Sequence, residues 1–316
     1  MLRLLLAAAA LVLATSARAD YPTHPVKWVV PYPPGGTTDL LARLTAQWLS
    51  DKLGQQFIIE NKPGGGNNIG VESVVKSPPD GYTLLLVNPA NGINATLYKN
   101  LPFDFIRDIA PVAGLVRTPN VMVVPAALPP KTVAEFISWC KANPGKVNLA
   151  SSGSGTSVHL SGELFKSMTG CNMLHVPYKG SGPALPALIA GEVHVMFDNL
   201  PSSMPHIKSG RLRALGVTSA ERDPTLPDVP TVGETVKGYE ATAWFGIGMP
   251  RGSPREAIEK INATVNAALA DAGMLKRYAE LGGKPIKGTP EDFGKVIKSE
   301  TEKWAKVVIQ SGAKAE

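Results

Sequence analysis

Two loops rich in glycine, serine and threonine are the places where this sequence could bind an anion. The first spans residues 32–39 (YPPGGTTD) and the second residues 151–157 (SSGSGTS). Each follows a strand-like run and opens a helix-like one, so backbone N–H groups and the positive end of the helix dipole face one point. Glycine lets the backbone approach closely, and hydroxyl groups add hydrogen bonds. The predicted chemistry is the binding of a carboxylate without help from Lys or Arg.

One loop of this kind is more simply a well-capped helix start, because serine and threonine often cap helices. A helix terminus contributes about 0.3 to 1 kcal/mol, up to about 2 kcal/mol when partly buried, so a single loop would hold a carboxylate weakly. Two facing loops would hold it better. The sequence leaves both interpretations open: capped helices, or the two sides of a ligand cleft.

Motifs for covalent catalysis, nucleotide binding and metal binding are incomplete. Ser152 and Thr156 stand two residues before and after Ser154, where a nucleophile elbow needs glycine. The glycine run 65–70 has the spacing of a phosphate loop, but Val71 stands where Lys is needed. The five histidines include no pair four residues apart, and there is no Cys-x-x-Cys motif. The sequence therefore predicts no catalytic residue, no metal site and no cofactor.

Several charged or titratable side chains near the loops each allow two interpretations. Asp39 and Arg43, four residues apart on one helix, most simply form an ion pair that braces the loop. His159, one turn into the second helix, either supports a ligand or bonds to nearby backbone. Asp198 either accepts an N–H or ammonium group of a ligand or braces a neighbouring loop.

Strand-like and helix-like segments alternate along the chain and would position the two loops. Apolar runs predict strands at 26–30, 57–59, 83–87, 121–124, 147–150, 173–176, 193–197 and 214–217. Helical spacing predicts helices at 39–53, 133–142, 158–168, 183–190, 254–271 and 290–310. This alternation predicts a doubly wound α/β fold with mostly parallel sheets, in which ligands bind beyond the carboxyl ends of the strands.

Length, composition and the N-terminus limit the class of protein. The 316 residues suggest about two domains, and 44% hydrophobic with 18% charged residues is ordinary globular usage. Residues 1–19 have the three-part pattern of a signal peptide, with cleavage predicted after Ala19. Without Arg3 and Arg18, the 32 Lys and Arg become 30 against 26 Asp and Glu, so the net charge falls from +6 to +4. The basic residues form no cluster, so nucleic-acid binding is not predicted.

Two cysteines, Cys140 and Cys171, lie in the part of the chain predicted to be exported. An oxidising compartment permits them to form one disulfide, which would contribute about 3 to 4 kcal/mol by the chain-entropy model. Two buried free thiols are the alternative, because a sequence gives no distance between them. We predict the disulfide.

Motifs in order over nearly the whole exported chain resemble the Bug family of tripartite tricarboxylate transporter substrate-binding proteins. The matching segments are YPPGG (32–36) with Asp39, Ala42 and Arg43, ENKPGG (60–65) with Gly70, PDGYTL (79–84), Asn94 with Leu97 and Tyr98, LPFD (101–104), SSGSGT (151–156) with His159, Leu160 and Glu163, HVPYKG (175–180), and Trp244 with Gly246, Pro250 and Pro254.

The resemblance implies a periplasmic type II binding protein. Its fold would be two doubly wound α/β domains around a ligand cleft, joined by a hinge that the chain crosses twice. Residues 20–120 and 241–316 would form domain 1, and residues 121–240 would form domain 2. The implied function is to capture a small carboxylate and deliver it, as a monomer, to the integral-membrane permease subunits of a tripartite tricarboxylate transporter.

The family's ligand loops match named positions of this chain. They imply that the carboxylate is held by Tyr32, Gly35, Gly36, Thr37, Thr38, Ser152, Gly153, Ser154, Gly155 and Thr156. Positions that line the cleft in the family correspond to Asn88, Tyr178 and Asp198. Residues 88–91 (NPAN) depart from the Ser or Thr, Gly and His common in relatives, so the distal end of the ligand is expected to differ here.

The ligand class follows from the two loops together. Two sets of N–H donors suit a di-acid or aromatic acid, whereas the ammonium group of an amino acid would need acidic residues, of which Asp198 is the good candidate. Tyr32, Tyr178, Phe197 and Trp244 are the aromatic side chains that could wall the cleft. A secreted α/β hydrolase or lyase acting on a carboxylate is the alternative, but no nucleophile, base and orienting group can be assembled for it.

Overall fold

In the computed structural model, which describes residues 20–315, strands and helices alternate over most of the chain. The predicted signal peptide lies outside the described residues. The strands are β1 (Val26–Val30), β2 (Phe57–Asn61), β3 (Thr83–Val87), β4 (Ile109–Pro125), β5 (Val147–Ser151), β6 (Met173–Pro177), β7 (Val195–Asn199), β8 (Leu212–Val217), β9 (Thr242–Pro250) and β10 (Lys284–Pro285).

The helices carry the connections between these strands. They are α1 (Thr37–Leu53), α2 (Asn68–Val75), α3 (Pro89–Leu97), α4 (Phe105–Asp108), α5 (Val133–Ala142), α6 (Ser157–Thr169), α7 (Ser181–Ala190), α8 (Leu200–Lys208), α9 (Val232–Thr235), α10 (Arg255–Ala268), α11 (Ala272–Glu280) and α12 (Pro290–Ser311), with a 3₁₀ turn at Gly65–Asn67. Within residues 20–315, no helix is both long enough and apolar enough to cross a membrane.

The sheet has two parallel parts joined through antiparallel strands. In the first part β1 pairs in parallel with β2 and β3, and in the second β5 pairs in parallel with β6 and β7. The strand order is β2-β1-β3-β9-β4-β7-β5-β6, with β8 and β10 also paired to β4. The prediction of a doubly wound α/β fold with two halves is confirmed.

Strand β4 runs through both halves. Its segment from Ile109 to Pro119 pairs with β9. Its end, from Asn120 to Pro125, pairs with β7 and β8 instead. The chain returns beside this point, because Thr218 N donates to Asn120 O at 2.9 Å and Ala241 N donates to Thr218 O at 2.9 Å. Two adjacent segments therefore connect the halves.

The C-terminal helix α12 packs on both halves. Its start is fixed by a capping box between Thr289 and Asp292, as the sequence predicts. Phe293 near this start belongs to a core cluster with β1 and β3 side chains, whereas Trp304 and Val308 belong to the core of the second half. The domain boundaries at residues 120 and 240 stay a prediction, with α12 spanning both sides of the division.

The two cysteines are neighbours in the core of the second half. Both are free, buried thiols in the structure, and the Cys140 side chain hydrogen-bonds with Cys171. They lie at the end of α5 and just before β6. The predicted disulfide is therefore not formed in this structure, although the two thiols are in contact, and it stays a prediction for the exported protein.

We expect the exported protein to contain this disulfide. Denaturation in alkylating reagent without reductant should then label neither cysteine, and prior reduction should expose both. Reduction should also lower the free energy of unfolding by about 3 to 4 kcal/mol. Two labelled thiols in protein denatured without reductant would show that the pair stays reduced.

Candidate functional site

A cleft with two neighbouring chambers lies between the two halves. The first has an interior of about 20 Å³ and is lined by residues near the ends of β1, β3, β5, β6 and β7 and by Phe245 of β9. The second is wider, about 280 Å³, and lies beside the 3₁₀ turn. Tyr32 and Ser152 border both chambers. The second chamber has room for a small molecule, and the first has room for one small polar group.

Most of the predicted ligand residues border this cleft. The first chamber is bordered by Tyr32, Gly36, Thr37, Thr38, Asn88, Ser152 and Thr156, and the second adds Gly153, Ser154 and Tyr178. Gly35, Gly155 and Asp198 border neither chamber and hold the surrounding loops instead. The two loops thus lie on opposite sides of one cleft, as the cleft interpretation requires.

Sequence reasoning missed several residues that line the first chamber. Ser181 follows β6 and Asn199 is the last residue of β7, where the rule of binding beyond strand ends could have found them. Phe245 lies on β9, a strand that the sequence did not predict. The missed residues of the second chamber come mainly from the 3₁₀ turn and include Gly66 and Asn67.

The first turn of α1 is open towards a ligand. Its N-cap residue is Gly36, which has no side chain to accept the N–H groups that a helix start leaves unpaired. Thr37 and Thr38 in this turn border the first chamber. Together with the helix dipole, this arrangement can hold a carboxylate oxygen.

Asp39 braces the first loop from behind. Its carboxylate accepts hydrogen bonds from Gly35 N (3.0 Å), Arg43 Nε (2.9 Å) and Asn61 Nδ2 (3.0 Å). Burial alone would raise the pKa of Asp39, but these three bonds outweigh burial and hold the pKa below its usual range. The ion pair between Asp39 and Arg43 therefore braces the first loop, which is the simpler interpretation given for these two residues in the sequence.

Replacing Asp39 by Asn should lower the free energy of unfolding at pH 7 by about 1 to 2 kcal/mol, because the ionised acceptor is lost. A carboxylate whose pKa is lowered by folding stabilises the protein at pH values above its unfolded pKa of 3.8. This stabilisation is lost as pH falls through the folded pKa. The difference from the parent protein should therefore shrink below about pH 4 in urea unfolding measured at several pH values. Asp51→Asn, at an exposed position on the same helix, is the control. A deficit that does not change with pH would contradict this account.

The second loop is held by its own side chains. Gly153 N donates to Ser151 Oγ at 3.1 Å, and Gly155 N donates to His159 Nδ1 at 3.2 Å. Burial, with His175 and Lys166 nearby, lowers the pKa of His159 to about 3, so the neutral ring can accept this bond. His159 thus bonds to backbone rather than to a ligand. The amides of Gly153 and Gly155 are already used, and the Thr156 hydroxyl group donates to Gly153 O at 2.8 Å. Ser152 and Ser154 are the hydroxyl residues of this loop that border the second chamber.

Asp198 lies behind the cleft wall and is fully buried. Its carboxylate accepts from Ser181 Oγ (2.5 Å), Ser202 Oγ (2.5 Å) and Ser203 Oγ (2.7 Å). Burial raises the pKa of this carboxyl, and the serine bonds only partly offset the effect. Thr37 Oγ1 donates to Ser202 Oγ at 3.2 Å, so the cluster also connects the two sides of the cleft. Of the two interpretations of Asp198, contact with a ligand or bracing of a neighbouring loop, the structure agrees with bracing.

The aromatic walls differ in part from the expectation. Tyr32 and Tyr178 border the cleft, as predicted. Phe197 instead packs on Phe165 in the core of the second half, and Trp244 packs on Phe293. Phe245 takes the place expected for Trp244, because neighbouring side chains on a strand point to opposite faces.

The two halves touch across the cleft. A Cβ atom at Gly182 would lie 2.8 Å from Pro34 O, and one at Gly66 would lie 2.6 Å from Ser154 O. These are backbone contacts between loops that come from opposite halves. The loops of the two halves therefore approach each other closely at both places.

Two α/β halves connected by two chain segments, with a cleft between paired loops, define a two-lobed ligand-binding protein. The family model described as "Tripartite tricarboxylate transporter family receptor" matches residues 41–313. The chain belongs to this family, whose members include the Bug proteins.

Relatives along the whole chain agree with this assignment. Protein BugT of Bordetella pertussis is 37% identical over 308 residues, which cover 96% of this chain and 94% of that protein. The structure of R. palustris Rpa4515 with adipate has a TM-score of 0.92 and 41% identity, covering 94% of this chain and 100% of that one. The structure of MatC from Rhodopseudomonas palustris with bound malate has a TM-score of 0.87 and 32% identity, covering 91% and 100%.

The family assignment settles the class of activity. Members of this family are periplasmic substrate-binding receptors and not enzymes. The alternative of a secreted hydrolase or lyase is therefore wrong. Within residues 20–315, no group of three or more His, Cys, Asp or Glu side chains could hold a metal ion.

Proposed function

We propose that this protein captures a small carboxylate between its two halves and delivers it to the permease subunits of a tripartite tricarboxylate transporter. The observation that carries this proposal is the uncapped first turn of α1, which opens into the first chamber beside Thr37 and Thr38. Ser152 borders this chamber from the other half, where the Thr156 hydroxyl group donates to Gly153 O at 2.8 Å and is not available to donate to a ligand. A carboxylate can accept hydrogen bonds from both sides at once.

A di-acid or aromatic acid suits the cleft better than an amino acid does. Neither chamber is lined by an Asp or Glu side chain, so an ammonium group would be buried without a counter-charge. Asp198 is enclosed by three serine hydroxyl groups and does not border the cleft. The related structures with adipate and malate contain di-acids.

Three further parts of the proposal rest on the sequence and on the family. The mature protein begins at Asp20, after cleavage at Ala19, and acts in the periplasm as a monomer. Residues 20–120 and 241–316 form one domain, and residues 121–240 form the other. Release of the ligand to the permease accompanies separation of the two domains.

A thermal-shift panel tests the ligand class. An acid present at about 100 times its dissociation constant should stabilise the protein by roughly 2.7 kcal/mol. In a chain of this size that raises the melting temperature by several degrees. The panel should contain di-acids, tricarboxylates, aromatic acids, amino acids and sugars, and we expect di-acids or aromatic acids to stabilise.

Two results would count against the proposal in different ways. If amino acids alone stabilise, the preference for di-acids and aromatic acids is wrong, but a carboxylate receptor remains. If sugars alone stabilise, the carboxylate site itself is wrong.

A further inference from the structure

A pair of stacked histidines lies beside the second loop and borders neither chamber of the cleft. The ring centroids of His159 and His175 are 3.9 Å apart, and the angle between the ring planes is 13°. His159, in the first turn of α6, is only 2% exposed. His175 belongs to β6, which pairs in parallel with β5, the strand that leads into the loop. The two rings therefore meet between the start of the loop and the helix that follows it.

The histidines hold both ends of the segment 153–155. Gly155 N donates to His159 Nδ1 at 3.2 Å. Gly153 N donates to Ser151 Oγ at 3.1 Å, and Ser151 Oγ in turn lies 2.6 Å from His175 Nε2. One glycine amide is thus bonded to a histidine directly, and the other is bonded to a hydroxyl group that a histidine holds.

Ser154 lies between these two amides and meets both the cleft and the other half. It borders the second chamber. Its carbonyl oxygen accepts from Tyr98 Oη at 3.4 Å, and a Cβ atom at Gly66 would lie 2.6 Å from the same oxygen. A Cβ atom at Gly155 would clash with the side chain of Asn94 on α3. A shift of this segment would therefore change the cleft wall and the contact between the halves together.

The surroundings of His159 keep its ring neutral. Burial is the main cause that lowers the pKa of His159 to about 3, and the nearby His175 and Lys166 lower it further. In the neutral ring Nδ1 accepts the backbone N–H, so the proton is on Nε2, which lies 3.8 Å from Glu163 Oε1. That carboxylate is itself paired with Lys166 Nζ at 2.8 Å. Near pH 7 the Nδ1 atom is therefore available as an acceptor for the loop.

We propose that His159 is a positioning residue for ligand binding, which holds Gly155, and with it Ser154, in the place where the second loop borders the cleft. This inference rests on the proposed function, because the position of the loop matters only if a ligand occupies the cleft. A binding site has to be held within about 0.5 Å of its productive geometry by the side chains around it. His159 thus acts on affinity through the loop, without contact to the ligand.

Two substitutions of similar shape separate the acceptor of His159 from its bulk. In His159→Asn, an amide oxygen can take the place of Nδ1, whereas His159→Leu puts a methyl group there. Calorimetric titration with adipate, malate and benzoate measures the difference. For each acid that the parent binds, the dissociation constant should stay within about threefold for His159→Asn and rise at least about tenfold for His159→Leu, as expected when a buried donor loses its partner.

Hydrogen exchange of the Gly155 amide measures the anchor itself. This amide should exchange slowly in the parent and in His159→Asn, and at least about tenfold faster in His159→Leu. Urea unfolding shows whether each variant is folded. If His159→Leu does not fold, His159→Gln replaces it, because its acceptor lies one bond further out than Nδ1, and it should show the same losses.

His194→Leu is the matched control. His194 Nδ1 accepts the backbone N–H of Asn148 at 3.0 Å, so this variant loses the same kind of bond in the same half. His194 borders neither chamber and is not bonded to the second loop. His194→Leu should bind each acid as the parent does.

The outcomes separate this inference from the proposed function. If the acceptor-free variant binds as tightly as the parent, if His159→Asn loses as much affinity as that variant, or if His194→Leu loses as much, His159 does not position the loop, although the carboxylate receptor stands. Fast exchange of the Gly155 amide in the parent would show that the anchor is absent. If none of the three acids binds to the folded parent, the proposed function fails, and the inference fails with it.

Discussion

Replacing Gly153 by Val is expected to weaken carboxylate binding by at least about a hundredfold, and the same change at Gly170 is expected to leave binding intact. Both glycines have positive φ, +124° and +71°, which is unfavourable for a β-branched residue. Gly153 borders the second chamber, and a Cβ atom there would lie 3.2 Å from Tyr178 O. Gly170 ends α6 with open space around it. Calorimetric titration of both variants with the best acid of the panel measures the contrast.

The same experiment distinguishes backbone recognition from recognition by a charged side chain. Replacing Lys179, at the edge of the second chamber, by Ala should weaken binding far less than Gly153→Val does.

Gly36→Val should also abolish binding. Gly36 has an ordinary φ of −86°, so the reason there is the space that the added side chain fills near Ser181. Normal binding by both glycine variants, with Lys179 indispensable, would show that the loops are not the binding element.

Replacing Asp198 by Ala is expected to lower the free energy of unfolding by about 3 kcal/mol or more. The change removes the shared acceptor of Ser181, Ser202 and Ser203, and each buried donor without a partner costs about 1 to 3 kcal/mol. Asp198→Asn should cost less, because one acceptor oxygen remains and no charge has to be buried. Urea unfolding of the two variants and the parent at pH 7 gives the comparison.

Acid should affect Asp198 and Asp39 in opposite directions. Burial raises the pKa of Asp198. The stability that its protonated carboxyl group contributes to the folded protein is therefore fully present below the unfolded pKa of 3.8 and is lost as pH rises through the folded pKa. As pH is lowered towards that value, the free energy of unfolding of the parent protein should therefore increase relative to that of Asp198→Asn. Over the same range, the free energy of unfolding of the parent should decrease relative to that of Asp39→Asn. Equal effects of Ala and Asn at position 198 would show that the serine cluster does not depend on an acceptor there.

The parallel strands could be predicted from the sequence, but the strands that join the two halves could not. Predicted segments such as 83–87 and 147–150 match β3 and β5 because they are uninterrupted apolar runs bounded by turn residues. Strand β4 was predicted only at 121–124, since Pro111, Gly114 and Pro119 interrupt its pattern. In β9, Gly246 allows Phe293 of α12 to pack against the backbone. That contact joins residues far apart in the chain, and no local pattern records it.

The candidate site shows the same division. Gly36 and Ser152 were found because they follow strands and begin helices, a rule that needs only local sequence. Asn67 was missed because its position at the cleft depends on Asn88, which lies 21 residues away along the chain. Asp198 could not be assigned from its position at a strand end, because the three serines around it decide whether it faces a ligand.

The uninterrupted strand β4 limits how the cleft can open. Its residues on either side of Pro119 and Asn120 belong to different halves, and Ala241 of the return segment is bonded to Thr218, which is bonded to Asn120. Two short, adjacent connections permit bending but resist sliding of one half along the other. Under the proposed function, exchange of ligand with the solvent would accompany a rotation about this point that separates Gly182 from Pro34. We then expect the frequency of that rotation to set the residence time of a bound acid, and variants near Asn120 to change the dissociation rate without touching the ligand.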